Sequence, residues 1–190
     1  DTCGTGGDGG HTFNISTTAA FVVAGAGLTV AKHGNRSVSS KSGSADVLSA
    51  LGVKIDLQPE RVADCINDVG IGFLFAPLFH GAMKHCAGPR QEMGIRTLLN
   101  VLGPLTNPAG ATHQVLGVYD ARLTEVMAKV LVQLGSQHCF VLHGMDGLDE
   151  FTVCDRTKVS EGKGGVVSNY FVAPEEFDLP RVHKKEIAGG

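Results

Sequence analysis

Gly4-Thr5-Gly6-Gly7-Asp8-Gly9-Gly10 contains five glycines in seven residues and predicts a tight loop near the start of the chain. Glycine tolerates positive φ and lets a ligand approach the backbone closely, and successive backbone N–H groups in such a loop can surround an anion. A helix is expected to begin near Asn14-Ile15-Ser16-Thr17, so its positive end would add to the attraction for phosphate. A glycine cluster alone is a weak signal that could also be only a flexible turn, so the phosphate interpretation depends on a second feature.

The second feature is the segment from Lys32 to Ser44, KHGNRSVSSKSGS, which lies between two apolar stretches. It combines three cations with several serine hydroxyls and one amide, and it has few groups that only accept hydrogen bonds. A diphosphate needs donors of this kind. By itself the segment could be a solvated basic turn. Two anion-suited loops, each placed after an apolar segment and before a helix, favour a phosphate site.

An acidic motif, Asp146-Gly147-Leu148-Asp149-Glu150, follows a predicted strand that ends at His143. Adjacent carboxylates suit a hard cation such as Mg²⁺, and the spacing does not fit a calcium-binding loop. In isolation the motif would be interpreted as a solvated acidic turn. The two anion-suited loops favour a metal instead, because a diphosphate needs its charge neutralised.

Composition limits the class of protein. The 190 residues are 43% hydrophobic, which is enough for one domain with a sizeable core. The net charge of −3 predicts no nucleic-acid partner, because non-specific attraction to nucleic acid is not favoured. The five cysteines include no Cys-x-x-Cys pair, so reduced thiols in a cytoplasmic protein are expected. No signal peptide and no apolar run of membrane-spanning length is visible, and no membrane partner is predicted.

The alternation of strands and helices predicts an α/β fold, with a largely parallel central sheet flanked by helices, in a single domain over residues 1–190. Strands are predicted over residues 28–32, 72–76, 114–119 and 139–143, followed by a β-rich segment over 151–171 with a turn at 162–165. Helices are predicted over residues 15–27, 45–51, 59–69, the first half of 78–93, 97–102 and 123–134. The first of these helices consists of apolar and small residues and is expected to be buried.

Taken together, these motifs resemble the anthranilate phosphoribosyltransferase family, in the family's order and over nearly the whole chain. The matching stretches are Gly4 to Asp8, Asn14 to Thr17, Lys32 to Gly52, His80 to Lys84, Arg90, Gly94 to Thr97, Asn100 to Pro108 and Gly147 to Glu150. The resemblance implies transfer of phosphoribose from 5-phosphoribosyl diphosphate to the amino group of anthranilate, with release of diphosphate. It also implies Mg²⁺ as cofactor, with two ions when the diphosphate substrate is bound.

The resemblance further implies a catalytic domain that belongs to a longer, homodimeric enzyme. Family members carry a helical segment before the glycine-rich loop, through which they dimerise, and further helices after the region matched here. The chain opens directly into the glycine-rich loop, with no room expected for a strand to present it. We therefore expect a fragment that lacks both helical parts.

The family's site residues transfer to matching positions of this chain. The implied substrate-binding residues are Gly4, Gly7, Asp8, Thr12, Asn14, Ile15, Ser16, Thr17, Lys32, His33, Gly34, Asn35, Arg36, Ser37, Val38, Ser39, Ser40, Ser44 and Arg90. The implied Mg²⁺ ligands are Ser16, Asp149 and Glu150. Lys32 and Asp8 are expected to act electrostatically, and no residue is assigned as a catalytic base or nucleophile.

Within the substrate set, the resemblance assigns Gly4, Asn35 and Arg90 to anthranilate. An arginine suits a carboxylate because its fork can bond both oxygens. The chain departs from the family near this site: the family has proline after the histidine where this chain has Gly81, and Pro-Val before the arginine where it has Gly88-Pro89. The departure affects the acceptor site more than the phosphate site.

Two alternatives stay open at this point. A pyrimidine-nucleoside phosphorylase-like enzyme also handles ribosyl transfer, with phosphate as the acceptor, and a non-catalytic relative could bind nucleic acid through the basic segment. A P-loop nucleotide binder is disfavoured because the glycine-rich loop lacks the Gly-Lys-Ser/Thr ending.

Overall fold

The computed structural model describes residues 1–6, 12–37, 42–83, 85, 88, 92–93 and 97–189. The strands are β1 (Thr2–Gly4), β2 (Val30–Gly34), β3 (Ile71–Phe75), β4 (His113–Gly117), β5 (His138–Gly144), β6 (Thr157–Lys163) and β7 (Val166–Val172). The helices whose bounds the structure describes are α1 (Ile15–Gly25), α2 (Ser44–Ala50), α3 (Pro59–Val69), α4 (Ala76–Phe79), α5 (Leu99–Leu102) and α6 (Leu123–Gln133). Residues 85, 88, 92 and 93 are also helical. Short 3₁₀ turns lie at Gly81–Met83, Gly103–Leu105, Pro174–Phe177 and Lys184–Ile187.

The larger sheet has the strand order β1-β4-β5-β6-β7. Its β1–β4 and β4–β5 pairs are parallel, and β5, β6 and β7 pair in antiparallel fashion. A second sheet joins β2 and β3 in parallel. The predicted α/β class with parallel strands is therefore confirmed. The predicted turn between the last two strands is also present, with Gly164 and Gly165 at φ values of 57° and 84°.

The expectation that no strand precedes the glycine-rich loop is wrong. Thr2, Cys3 and Gly4 pair in parallel with Val115, Leu116 and Gly117 of β4. The backbone N–H of Thr5 continues the ladder with a 3.0 Å bond to the carbonyl oxygen of Gly117. Three residues are sufficient because β1 pairs with a neighbour that is already ordered by β5 on its other side.

The main core lies between the large sheet and α6. Met127, Ala128 and Leu131 occupy one face of α6, as the helical spacing predicts, and they pack with buried side chains of the sheet. The sheet side chains in this cluster are Cys3, Leu116, Val118, Cys139 and Val141. A smaller cluster of Ala45, Leu48 and Ile55 packs against Phe73 and Phe75 beside the second sheet.

Helix α1 is less buried than its composition predicts. Thr17 and Ala20 are buried, whereas Phe21 and Val22 are 44% and 67% exposed. The helix contacts β1 and β2 through one side only, so an apolar composition on all sides does not imply burial on all sides.

Two other elements differ from their predicted positions. Strand β2 begins two residues later than expected and extends to Gly34, so His33 and Gly34 lie within the strand and not in the loop that follows it. The helix predicted in the first half of 78–93 is interrupted, because Pro77 starts α4 early and His80 ends it after four residues. A 3₁₀ turn follows at Gly81–Met83, and His85 and Gly88 are again helical. Along the described part of the chain, no helix is long and apolar enough to cross a membrane.

Candidate active site

Two glycines at the carboxyl ends of β1 and β4 form a surface without side chains. Gly4 and Gly117 are register partners in the parallel pair, and the acidic loop lies directly on them. A Cβ atom on Gly117 would be 1.5 Å from the carbonyl oxygen of Asp149, and one on Gly4 would be 2.6 Å from its Oδ2 atom. No side chain can occupy either position while Asp149 stays where it is.

Asp149 connects the acidic loop to the glycine-rich loop. Its side chain is buried, and its Oδ2 atom accepts a 2.7 Å hydrogen bond from the backbone N–H of Gly6. Gly6 has a φ of 66°, which turns its N–H toward the carboxylate at low cost only because the residue is glycine. The carboxylate that the sequence predicts as a metal ligand thus lies beside the predicted anion loop.

The acidic loop is held in place from below. Leu148 is 1% exposed and anchors the loop in the core, while the backbone N–H of Gly144 donates to its carbonyl oxygen over 2.8 Å. Asp146 accepts a 2.9 Å bond from the hydroxyl of Thr152. The Nζ atom of Lys184 donates to the carbonyl oxygen of Asp146. These contacts order the loop without using the carboxylates of Asp149 and Glu150.

Lys32 brings a cation beneath the same site. It is 2% exposed, and its Nζ donates to the carbonyl oxygen of Thr2 over 2.6 Å and to the hydroxyl of Ser16 over 3.3 Å. Burial lowers the pKa of Lys32 to about 8, although the neighbouring Cys3 and Glu150 favour its charged form. The partly desolvated ammonium group therefore contacts the Ser16 hydroxyl directly, and the charge of Glu150 acts on it.

The start of α1 has ordinary capping geometry. Asn14 precedes the helix, and its Oδ1 atom accepts a 3.2 Å bond from the backbone N–H of Thr17. Ser16 lies in the first turn, and its carbonyl oxygen accepts from the Thr2 hydroxyl over 2.9 Å. This second contact fixes the helix start against β1. Thr12, also predicted to bind substrate, pairs with Ala188 in an isolated antiparallel bridge.

His33 and His80 form a direct contact that the sequence did not predict. Their Nε2 atoms are 2.9 Å apart. His33 is buried, and burial together with the nearby His80 and Lys32 lowers its pKa to about 4, so it is neutral at pH 7. The contact brings the histidine of the His80 motif to the end of β2, although α2, α3, β3 and α4 separate the two in sequence.

The described part of the second loop begins at the end of β2, where it packs against β3 and the start of α2. Gly34 ends β2 at the side chains of Phe73 and Ser44, and a Cβ atom on it would lie 2.9 Å and 3.1 Å from them. Asn35 turns the chain, because its Oδ1 atom accepts a 2.7 Å bond from the backbone N–H of Arg36. Several predicted residues lie outside the described residues, namely Gly7, Asp8, Val38, Ser39, Ser40 and Arg90.

The whole chain matches the sequence model of one known protein family. The model of the glycosyl transferase family, a/b domain, matches residues 1–190. The chain belongs to this glycosyl transferase family. Similar curated proteins are the anthranilate phosphoribosyltransferases of Desulfosudis oleivorans and Moorella thermoacetica, at 64% and 62% identity over 190 residues. The alignment covers 100% of this chain and 56% of each of them, so the chain spans a little over half of their length.

Solved structures show the same similarity to this glycosyl transferase domain. Anthranilate phosphoribosyltransferase from Thermus thermophilus is 49% identical with a TM-score of 0.92, over 100% of this chain and 56% of that one. The Saccharomyces cerevisiae enzyme in complex with PRPP and Mg is 34% identical with a TM-score of 0.88, over 100% of this chain and 52% of that one.

The residues of this glycosyl transferase domain fit a magnesium ion. Asp149 and Glu150 supply two carboxylates, and Ser16 supplies a hydroxyl beside the same lysine. Mg²⁺ prefers oxygen ligands and commonly takes only one or two from protein carboxylates, with waters and substrate phosphates completing the shell. No group of three or more His, Cys, Asp or Glu side chains suited to a metal occurs among the described residues, so the site does not resemble a protein-only metal cage.

Proposed function

We propose that this domain performs the anthranilate phosphoribosyltransferase reaction. The observation that carries the proposal is the contact of Asp149 with both strand-end glycines and with the backbone N–H of Gly6. The contact joins the carboxylate that we predict to bind metal to the loop that we predict to bind the anion, and a diphosphate with bound Mg²⁺ needs both. The relatives that match the whole chain carry the name of this enzyme.

In the proposed reaction, the bond between C1 of the ribose and the diphosphate oxygen breaks while the amine nitrogen of anthranilate bonds to C1. Negative charge accumulates on the departing diphosphate, and its stabilisation is expected to be the largest contribution of the protein. When bound, Mg²⁺ supplies Lewis-acid stabilisation of that charge. Lys32 contributes a fixed positive charge from beneath the site, and the backbone N–H groups of the glycine-rich loop contribute dipoles.

The amine of anthranilate is neutral at pH 7 and already carries its lone pair. It loses a proton to solvent once the new C–N bond has formed, so a strong base is not required before the attack. Positioning of the two substrates then supplies much of the remaining acceleration. Neutral His33 fits this scheme, because a buried uncharged ring at the end of β2 adds no repulsion toward the oxocarbenium-like centre.

The test is loss of anthranilate fluorescence on addition of 5-phosphoribosyl diphosphate and Mg²⁺ to the full polypeptide as its gene encodes it. We expect a decay that requires all three components. Absence of decay, in a folded protein that binds the sugar diphosphate, would reject anthranilate as acceptor. A pyrimidine nucleoside with phosphate would then be assayed as the alternative substrate pair.

Arg90→Ala is expected to raise the KM for anthranilate by at least about tenfold, since a bidentate charged hydrogen bond contributes roughly 1.5–3 kcal/mol. The KM for 5-phosphoribosyl diphosphate should change by less than about threefold. Steady-state kinetics with each substrate varied in turn separates the two constants. The exposed Arg61→Ala, which removes an arginine paired with Asp64 on α3, is the control. A larger effect on the sugar donor than on anthranilate would remove Arg90 from the acceptor site.

We further propose that the enzyme is a cytoplasmic homodimer that binds two Mg²⁺ ions with its diphosphate substrate. The described cysteines Cys3, Cys65, Cys139 and Cys154 are free thiols, which agrees with a reducing compartment. Light scattering of the encoded polypeptide tests the oligomeric state, and titration of Mg²⁺ in the presence of the sugar diphosphate counts the ions. A monomeric mass or a single ion per site would correct the respective part of the proposal.

A further inference from the structure

The carboxylate of Asp46 joins the two ends of the loop between β2 and α2. Its Oδ2 atom accepts hydrogen bonds from the backbone N–H of Ser37, at 3.0 Å, and from that of Gly43, at 2.8 Å. Its Oδ1 atom lies 2.8 Å from the Nη1 atom of Arg36. One side chain therefore contacts the chain where the loop leaves β2 and where it returns to α2.

Asp46 makes more contacts than the capping of α2 requires. Asp46 is the third residue of α2, and an acid at this position normally reaches back only to the backbone N–H of the capping residue, here Gly43. The bonds from Ser37 and Arg36 come from the opposite end of the loop and contribute nothing to the helix. A residue that served only as a cap would not contact Ser37 or Arg36.

The two ends of the loop are also packed backbone against backbone. A Cβ atom on Gly43 would be 2.5 Å from the backbone nitrogen of Ser37 and 2.6 Å from the carbonyl oxygen of Asn35. That same carbonyl oxygen accepts a 3.2 Å bond from the backbone N–H of Ala45. Glycine at position 43 allows the ends to meet, and Asp46 supplies the hydrogen bonds that keep them together.

We propose that Asp46 is a positioning residue for 5-phosphoribosyl diphosphate, which holds Asn35, Arg36 and Ser37 in their binding arrangement without contacting the substrate. This inference rests on the proposed function, because those three residues are assigned to the substrate by resemblance to the family. Asp46 would strengthen substrate binding by preorganisation, because binding residues that are already held in place lose less conformational entropy when a ligand binds.

The charge state of Asp46 agrees with this role. The backbone N–H groups of Ser37 and Gly43, with the Arg36 guanidinium, hold the pKa of the carboxyl below its ordinary value. The carboxyl group is therefore ionised, and its oxygens accept hydrogen bonds from both ends of the loop. The ion pair with Arg36 is itself weak, because the arginine side chain is 56% exposed, so the two backbone bonds carry most of the effect.

Asp46→Ala removes all three contacts and tests the inference in the full polypeptide. Asp64→Ala is the matched control, since Asp64 also pairs with an arginine on a helix, at 2.7 Å, but bridges no loop. We expect the dissociation constant for 5-phosphoribosyl diphosphate with Mg²⁺, measured by calorimetry without anthranilate, to rise at least about tenfold in Asp46→Ala. The kcat at saturating substrates should stay within about threefold. Asp46→Asn, whose single oxygen can serve the amides or Arg36 but not both, should give an intermediate dissociation constant.

A second readout does not depend on substrate. The backbone amide protons of Ser37 and Gly43 should exchange with solvent at least about tenfold faster in Asp46→Ala than in Asp64→Ala, because they lose their acceptor. Unchanged substrate affinity in Asp46→Ala, with an unsubstituted protein that binds the sugar diphosphate, would overturn the inference and leave the proposed function intact. Failure of the unsubstituted protein to bind the sugar diphosphate would instead reject the proposed function.

Discussion

The double replacement Asp149→Asn with Glu150→Gln is expected to lower Mg²⁺-dependent turnover by about 10³-fold or more. A metal that neutralises diphosphate contributes several kcal/mol of transition-state stabilisation, and each 1.36 kcal/mol corresponds to about a factor of ten in rate. The amides keep the size of the side chains and remove both negative charges. The amide oxygen introduced by Asp149→Asn can still accept the bond that Gly6 donates to Asp149, so the loop is expected to keep its place.

The measurement is the rate of anthranilate consumption over a range of Mg²⁺ concentrations, together with the thermal unfolding midpoint of each variant. Asp155→Asn with Glu175→Gln is a matched control, because both acids are paired with the surface residue Arg181 and lie outside the site. We expect the control to retain its activity and its Mg²⁺ dependence. Normal turnover in the Asp149 and Glu150 variant would exclude both residues from the metal site.

Gly117→Ala is expected to lower kcat/KM by about a hundredfold, although the residue carries no functional group. A methyl group at this position would lie 1.5 Å from the carbonyl oxygen of Asp149, far inside any allowed contact. The clash is with backbone, so the acidic loop must move away from β4 as a unit. Displacement of a catalytic group by roughly 1 Å can cost about 10² in rate, and overpacking of this kind destabilises a fold by about 1–3 kcal/mol.

Gly25→Ala is the control for this variant. A Cβ atom on Gly25 has no neighbour within 4 Å, and its φ is not in the left-handed region, so this substitution adds the same methyl group without a collision. Activity is measured below the unfolding temperature of Gly117→Ala, and binding of Mg²⁺ is measured by titration on the same samples. We expect the apparent Mg²⁺ affinity to fall in Gly117→Ala only. Full activity with normal Mg²⁺ affinity would show that catalysis and metal binding do not require the contact of Asp149 with Gly117.

Several elements can be predicted from the sequence because local chemistry specifies them. The predicted bounds of helix α3 match the observed ones, since Pro59 is favoured at a first helical position and Gly70 ends the helix at a φ of 83°. The hairpin of β6 and β7 follows from the glycines at its tip. The prediction that the acidic motif follows a strand is also confirmed, because β5 ends at Gly144 just before Asp146.

Other features could not be predicted because they depend on neighbours distant in sequence. Strand β1 is three residues long and shows no alternation of its own, and pairing with β4 makes it a strand. Exposure of Phe21 and Val22 could not be deduced from an apolar helix, since burial depends on what packs against each side. The sequence does not single out Asp46, because an acid early in a helix is common, and its bonds to Ser37 and Arg36 depend on how the loop returns.

The amino-acid sequence specifies which chemical groups are available: a glycine-rich loop, a basic segment and a pair of carboxylates, each next to an element with clear local signals. How these groups meet depends on the packing of the folded chain. Gly4 and Gly117 become neighbours through the parallel register of β1 and β4, and this register lets Asp149 rest on both. Such a contact requires two strands and a loop to be packed simultaneously, and no local pattern in any one of them specifies it.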